Sequence, residues 1–126
     1  MAQEEEKELL EKGKGYCGKI LWVDLTKRES KVEDVPDEVY RNFLSGYGLG
    51  AKILYDRMKR GADPLGPHNI LGFCSGLLTG TGSLFTGRFI VVGKSPLTGG
   101  WGDANCGGYF SPAIKRCGVD AIFIQG

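Results

Sequence analysis

Glycine density is the strongest limit on what this chain can fold into. Of 126 residues, 21 are glycine, against a usual share of about 7%. Three of them, Gly13, Gly15 and Gly18, precede Ser45, and the other eighteen follow it. Every glycine costs backbone entropy on folding, so a dense set calls for positive-φ turns, tightly packed elements, or main chain brought close to a ligand. No Gly-X-Y period is present, which excludes collagen. Val, Ile, Leu and Phe alternate with the glycines, which argues for a packed domain over a disordered segment.

The length suits one compact domain. Sixteen basic residues stand against fifteen acidic ones, and a net charge of +1 predicts neither a nucleic-acid nor a membrane surface as partner. No apolar run approaches the roughly 20 residues that span a bilayer. The N-terminus, Met1-Ala2-Gln3-Glu4-Glu5-Glu6-Lys7-Glu8, is acidic where a secretory signal would be basic and then apolar, so the expected location is cytoplasmic. Cys17, Cys74, Cys106 and Cys117 are too widely spaced for a C-x-x-C motif, and the expectation is of small buried side chains without disulfides.

Along the chain, residues 1–14 read as a charged leader: a short solvated helix, or a disordered or expression-derived arm. Lys19 to Leu25, a turn at Thr26-Lys27-Arg28 and Glu29 to Val35 read as a β-hairpin. Pro36-Asp37-Glu38 starts a helix, with Val39, Tyr40, Phe43 and Leu44 on one face and Ser45-Gly46 as its stop. A second helix carries Leu49, Ile53, Leu54 and Met58, with Gly61 as its C-terminal cap and Asp63-Pro64 beyond. Ile70 to Cys74, Arg88 to Val92 and Val119 to Ile124 read as strands. A helix with Phe110, Ala113, Ile114 and Cys117 on its stripe lies between the last two. The predicted class is therefore α+β, with β-sheet layers and a few short helices.

Three loops between the later strands are rich in Gly, Ser and Thr: Gly76 to Gly82 continuing to Thr86-Gly87-Arg88, then Lys94 to Gly100, then Asp103 to Tyr109. Such loops expose backbone N–H groups to anionic oxygens, above all where they enter a helix. Arg88 at a strand start adds a bidentate phosphate donor. Two nucleotide motifs fail on spacing. Gly93-Lys94-Ser95 lacks the earlier Walker glycine, since position 88 is arginine, and Gly46-Tyr47-Gly48-Leu49-Gly50 follows a helix, not a strand. His68 is read as a solvated turn residue, Trp22 as core and Trp101 as loop packing. Asp103 is read as a turn-forming carboxylate that could also orient Asn105 or bind a cation.

Gly76-Leu77-Leu78-Thr79-Gly80-Thr81, Thr86-Gly87-Arg88, Lys94-Ser95-Pro96-Leu97-Thr98-Gly99 and Ala104-Asn105-Cys106-Gly107-Gly108-Tyr109-Phe110 resemble, in order and spacing, the N-terminal domain of the aldehyde:ferredoxin oxidoreductase family. The likeness runs from about Gly15 to Gly126. It implies a tungsten or molybdenum bis-pyranopterin, with magnesium linking the two pterin phosphates. Arg88, Asn105, Gly107 and Gly108 are the implied cofactor-binding residues, and the Asn105 position is implied to offer its backbone carbonyl to the magnesium. The implied reaction oxidises an aldehyde to a carboxylic acid and passes electrons through a [4Fe–4S] cluster to ferredoxin. The cluster's clustered thiolates are not among these residues. The remainder of the enzyme, or a companion subunit, is the expected partner, and the chain alone is expected to be inactive. Residues 15–126 are thus expected to be the tungstopterin-binding domain, cut part-way on its C-terminal side, with Val119 to Gln125 lacking its strand partners. Two other readings stand beside this one: a stand-alone, non-catalytic binding or interaction module, and a phosphate-binding domain for another cofactor.

Overall fold

The computed structural model describes residues 15–126; the charged leader lies outside them. The elements are β1 (Lys19–Asp24), β2 (Glu29–Asp34), α1 (Asp37–Phe43), α2 (Tyr47–Arg57), β3 (Ile70–Ser75), β4 (Phe89–Lys94), β5 (Trp101–Cys106), α3 (Phe110–Arg116) and β6 (Ala121–Gln125). One six-stranded mixed sheet has the order β2-β1-β6-β3-β4-β5. Among the described residues only the β1–β6 pair is parallel. The α+β expectation of sheet with a few short helices holds.

The first hairpin forms as its alternation predicts. Asp24 accepts the Lys27 amide at 3.0 Å inside the turn, and Arg28 takes a left-handed φ of 58°. The helix that follows departs from its expected stripe. Tyr40 is buried and Val39 packs on the core, but Phe43 and Leu44 are exposed. Leu44 adopts φ 61°, which ends α1 and turns its own side chain away from the core. The corner into α2 is so tight that a Cβ on Gly48 would lie 1.5 Å from the Phe43 carbonyl oxygen.

Leu49, Ile53 and Leu54 bury one face of α2 against the sheet. The helix backbone comes down directly on the strands at Gly50, where a Cβ would meet Val92 at 2.9 Å. The helix ends at Arg57 because Met58 is extended, so Gly61 lies in a later turn and is not its cap. Arg57 ties this end to the hairpin, pairing with Glu33 at 2.7 Å and stacking 4.8 Å from the Trp22 ring centre. Trp22 itself lies against Phe123 in the core, as expected of it.

Side chains alternate across the sheet. Ile90 and Val92 of β4 join the core beneath α2, while Phe89 meets Phe110 of α3 edge-on at 5.1 Å on the other face. On α3, Ile114 is buried, but Ala113 and Cys117 are exposed and Phe110 is nearly half exposed. Ser111 takes the buried place instead. Its hydroxyl donates to the Arg88 carbonyl at 2.9 Å, and its own carbonyl accepts from Ser75 Oγ at 3.2 Å. A helix this short is held by such bonds as much as by its stripe.

Two expectations about strands are corrected. Residues 101–106 are a strand, not part of a loop, and pair along β4 from Lys94↔Trp101 to Phe89↔Cys106. Gly, Asp, Ala and Asn carry little β-propensity, so only the pairing reveals it. Second, β6 lacks no partners: it lies between β1 and β3, both of which precede it. The open edges are β2 and β5.

A buried polar knot binds the N-terminal segment to this framework. Asp120 is fully buried and accepts the Cys17 and Gly18 amides at 2.9 and 2.8 Å, the Tyr40 hydroxyl at 2.6 Å and Lys115 Nζ at 2.8 Å. Lys115 also donates to the carbonyls of Gly15 and Leu77. Burial alone would raise the Asp120 carboxyl. The amide, ammonium and hydroxyl donors outweigh burial and hold it below its ordinary range. The Tyr40 phenol is pushed up, by burial first and then by Asp120.

The cysteines correct another expectation. All four are free, but only Cys74 is buried, and burial raises its thiol to about 12. Cys17, Cys106 and Cys117 are exposed, with the Cys17 thiol raised by desolvation and then by the Asp120 carboxylate. Labelling of the folded protein with an aromatic disulfide reagent at neutral pH should therefore modify Cys106 and Cys117, Cys17 more slowly, and Cys74 only on unfolding. Equal rates for Cys74 and Cys106 would contradict this packing.

Candidate functional site

Arg88 stands immediately before β4, and Asn105 faces Ile90 across the β4–β5 ladder. Both side chains reach the α2 face of the sheet and meet there: Arg88 Nε donates to Asn105 Oδ1. Asn105 Nδ2 is in turn 3.5 Å from the hydroxyl of Tyr47, the first residue of α2. The Arg88 backbone is fixed independently, since its carbonyl accepts from Gly76 N at 3.3 Å and from Ser111 Oγ. The guanidinium is exposed, and among the described residues its other N–H groups have no acceptor. It is a positioned cation with spare donors.

The loop after β5 lies beside it. A Cβ on Gly107 would sit 3.6 Å from Arg88 Nη1. Gly108 has φ +105°, a conformation other residues rarely adopt. The first glycine loop arrives at the same end of the sheet. It is closed on itself by the Thr79 N–H to the Gly76 carbonyl and the Thr81 N–H to the Leu78 carbonyl, with the buried Thr79 hydroxyl donating to the Thr86 carbonyl. Two of the three glycine loops therefore converge on Arg88 and Asn105.

The second does not. Residues 94–100 turn the chain at the far end of β4, roughly 20 Å along a six-residue strand. There Ser95 N donates to the Gly100 carbonyl and Gly99 N to the Ser95 carbonyl. Trp101 is at that far end too, about 14 Å down β5 from Asn105, and so is removed from the converging loops. Asp103 sits on the strand and accepts from the Trp101 indole N–H at 2.5 Å, so neither the turn nor the Asn105-orienting role expected of it is found. His68 is an exposed turn residue whose carbonyl accepts from Gln125.

Sequence reasoning missed Tyr47. Its one signal was a polar aromatic between two glycines at a helix start, within a segment rejected as a nucleotide fingerprint. Among the described residues no three His, Cys, Asp or Glu side chains gather as a metal site.

Comparison with known proteins now adds to this geometry. A sequence model described as "Aldehyde ferredoxin oxidoreductase, N-terminal domain" matches residues 20–126. The tungsten-containing aldehyde ferredoxin oxidoreductase of Pyrococcus abyssi is 45% identical over 112 residues, covering 89% of this chain and 18% of that protein. The protein of the same description from Thermococcus kodakarensis is 44% identical with the same coverage. The WOR-like subunit of the aliphatic sulfonate oxidoreductase of Pyrococcus furiosus is 34% identical over 115 residues, covering 88% of this chain. Among solved structures, the active-site complex BamBC of benzoyl coenzyme A reductase, in complex with 1,5-dienoyl-CoA, superposes with a TM-score of 0.86 at 36% identity. That match covers 89% of this chain and 17% of the other. The chain thus spans about 18% of the length of the curated relatives it matches.

Proposed function

The chain belongs to the aldehyde ferredoxin oxidoreductase family, as its N-terminal domain, and we propose that it forms one side of the seat for a tungsten or molybdenum bis-pyranopterin. Arg88 donates to a pterin phosphate. The Asn105 backbone carbonyl would be offered to a magnesium ion held with the pterin phosphates, and Gly107 and Gly108 would let main chain approach the ring system. When bound, the group supplies the two-electron redox centre for oxidising an aldehyde to a carboxylic acid, with water as the oxygen source.

The residues fit such a group on chemical grounds. A phosphate needs donors and a positive charge, and Arg88 provides both from a fixed backbone with unused N–H groups. A planar ring needs a surface without side chains, which glycine provides. The Asn105 side chain accepts from Nε, which leaves the terminal nitrogens of the guanidinium for the ligand. Tyr47 holds Asn105 from the helix side. The observation that carries the reading is the direct Arg88–Asn105 contact at the meeting of two glycine loops.

The tungsten-containing relatives support the choice of metal. In this reading the remainder of a longer enzyme, or a companion subunit, closes the other side of the seat. It also supplies the thiolates of a [4Fe–4S] cluster that passes electrons to ferredoxin. Among the described residues no helix is long and apolar enough to cross a membrane.

The test is tungsten, molybdenum and released-pterin analysis of the complete enzyme carrying this domain, with Arg88→Ala beside the parent. Loss of charge-assisted hydrogen bonds should lower pterin retention about tenfold or more. The thermal midpoint of the domain should stay unchanged, because the Arg88 side chain is exposed. Full pterin content in Arg88→Ala would remove Arg88 from the seat.

A further inference from the structure

A concavity lies away from Arg88 and Asn105, between the C-terminal half of α2 and the turn that joins β4 to β5. Its volume is about 710 Å3, within the range of roughly 300–1,000 Å3 typical of small-molecule sites. The floor is apolar, built from Leu54 and Met58 of α2 with Phe43 at one side and Trp101 as the facing wall. Nearly half of the Trp101 surface is exposed, and its indole N–H is held in place by Asp103.

The charges around this floor are of one sign. Among the described residues every charged side chain lining it is a cation: Lys52, Lys59, Arg60 and Lys94. Two are engaged, since Lys52 pairs with Asp56 at 2.8 Å and Lys94 Nζ donates to the Ala62 carbonyl at 2.6 Å. Lys59 and Arg60, adjacent at the helix end, have no ion pair or side-chain hydrogen bond among the described residues. An apolar trough with an uncompensated positive end matches one ligand chemistry, an apolar body carrying a single anionic head.

We infer that this groove binds an amphiphilic organic anion, with its hydrocarbon body on Leu54, Met58 and Trp101 and its head at Lys59 and Arg60. The inference does not rest on the pterin seat, which lies at the opposite end of β4 and β5. A neutral hydrocarbon would gain nothing from the exposed cations, and a bare inorganic anion would leave the floor wet. Both parts are needed.

The 126-residue protein can be titrated with 4-phenylbutyrate while the two indole N–H resonances are followed in 1H–15N spectra. Trp101 should move saturably, with half-saturation on the order of 1 mM. Trp22, which does not line the groove, should stay still. Neither 4-phenylbutyramide nor inorganic phosphate should reproduce the shift at the same concentration. In Lys59→Glu/Arg60→Glu, whose altered side chains are on the surface, affinity should fall about tenfold. An equal response to the amide, unchanged affinity in the charge-reversed variant, or no saturable movement of Trp101 would each overturn the assignment. Concentration-dependent dimerisation that buries Trp101 would overturn it too, by giving the groove to a second copy of the chain.

Discussion

Asp120→Asn is expected to lower folding stability by about 3–5 kcal/mol, a large share of the roughly 5–15 kcal/mol that holds a domain together. The carboxylate is fully buried and gathers donors from Cys17, Gly18, Tyr40 and Lys115. The amide keeps the shape and removes the charge, leaving the Lys115 ammonium, whose side chain is only 6% exposed, without a counterion. Urea unfolding at neutral pH measures the effect. A loss below about 1 kcal/mol would mean the knot is ornamental. Asp120→Asn/Lys115→Met, which removes both charges, should recover part of the loss, because a buried cation alone costs more than no ion pair. The same group makes stability depend on acid. Its pKa is lower in the folded state than in the unfolded one. Its contribution is therefore complete above the unfolded carboxylate value near 4 and is lost as pH falls through the lower folded value. Asp120→Asn should flatten that acid limb.

Gly48→Ala should do comparable damage for a different reason. The added methyl would sit 1.5 Å from the Phe43 oxygen and 2.6 Å from its carbonyl carbon. Both are backbone atoms, so no rotamer change relieves the overlap and the corner between α1 and α2 must open. That displaces Tyr40 on one side and Leu49 on the other, both in the core. A cost above about 3 kcal/mol is expected, read as a lowered thermal midpoint or lost soluble yield. Gly61→Ala is the control. Its φ is +72° but nothing lies within 4 Å of the added methyl, so the cost should stay near about 1 kcal/mol. Similar losses in the two variants would show that backbone conformation matters more than contact at Gly48.

Much of this architecture was readable from residue patterns. Alternation around Trp22 and Val32 predicts the first hairpin, and Leu49, Ile53 and Leu54 predict the buried face of α2. The failures have two physical causes, partners distant in sequence and one tight local corner. Residues 101–106 become a strand only because β4 offers a ladder. Phe43 and Leu44 leave the core because a left-handed Leu44 and a close contact at Gly48 set the corner, which helical periodicity does not register. For the site, Arg88 and Asn105 were legible through the resemblance and through loop chemistry, and the structure brings their side chains together. That the loop at residues 94–100 lies elsewhere follows from the length of β4, and Tyr47 joins the pair only through the packing of α2 across the sheet.

The central position of β6 bears on how the molecule is made. A ribosome releases β1 and β2 first and β3 to β5 later, and each group can zip into local antiparallel pairs as it emerges. The two halves cannot be joined until Ala121–Gln125 slides between them, contributing the only parallel ladder among the described residues and placing Asp120 against Cys17, over a hundred positions upstream. Chains truncated just short of residue 121 should therefore carry two separate platforms, the β1–β2 hairpin and the β3–β5 meander, with unpaired inner margins. These are the species a holdase chaperone would be expected to grip.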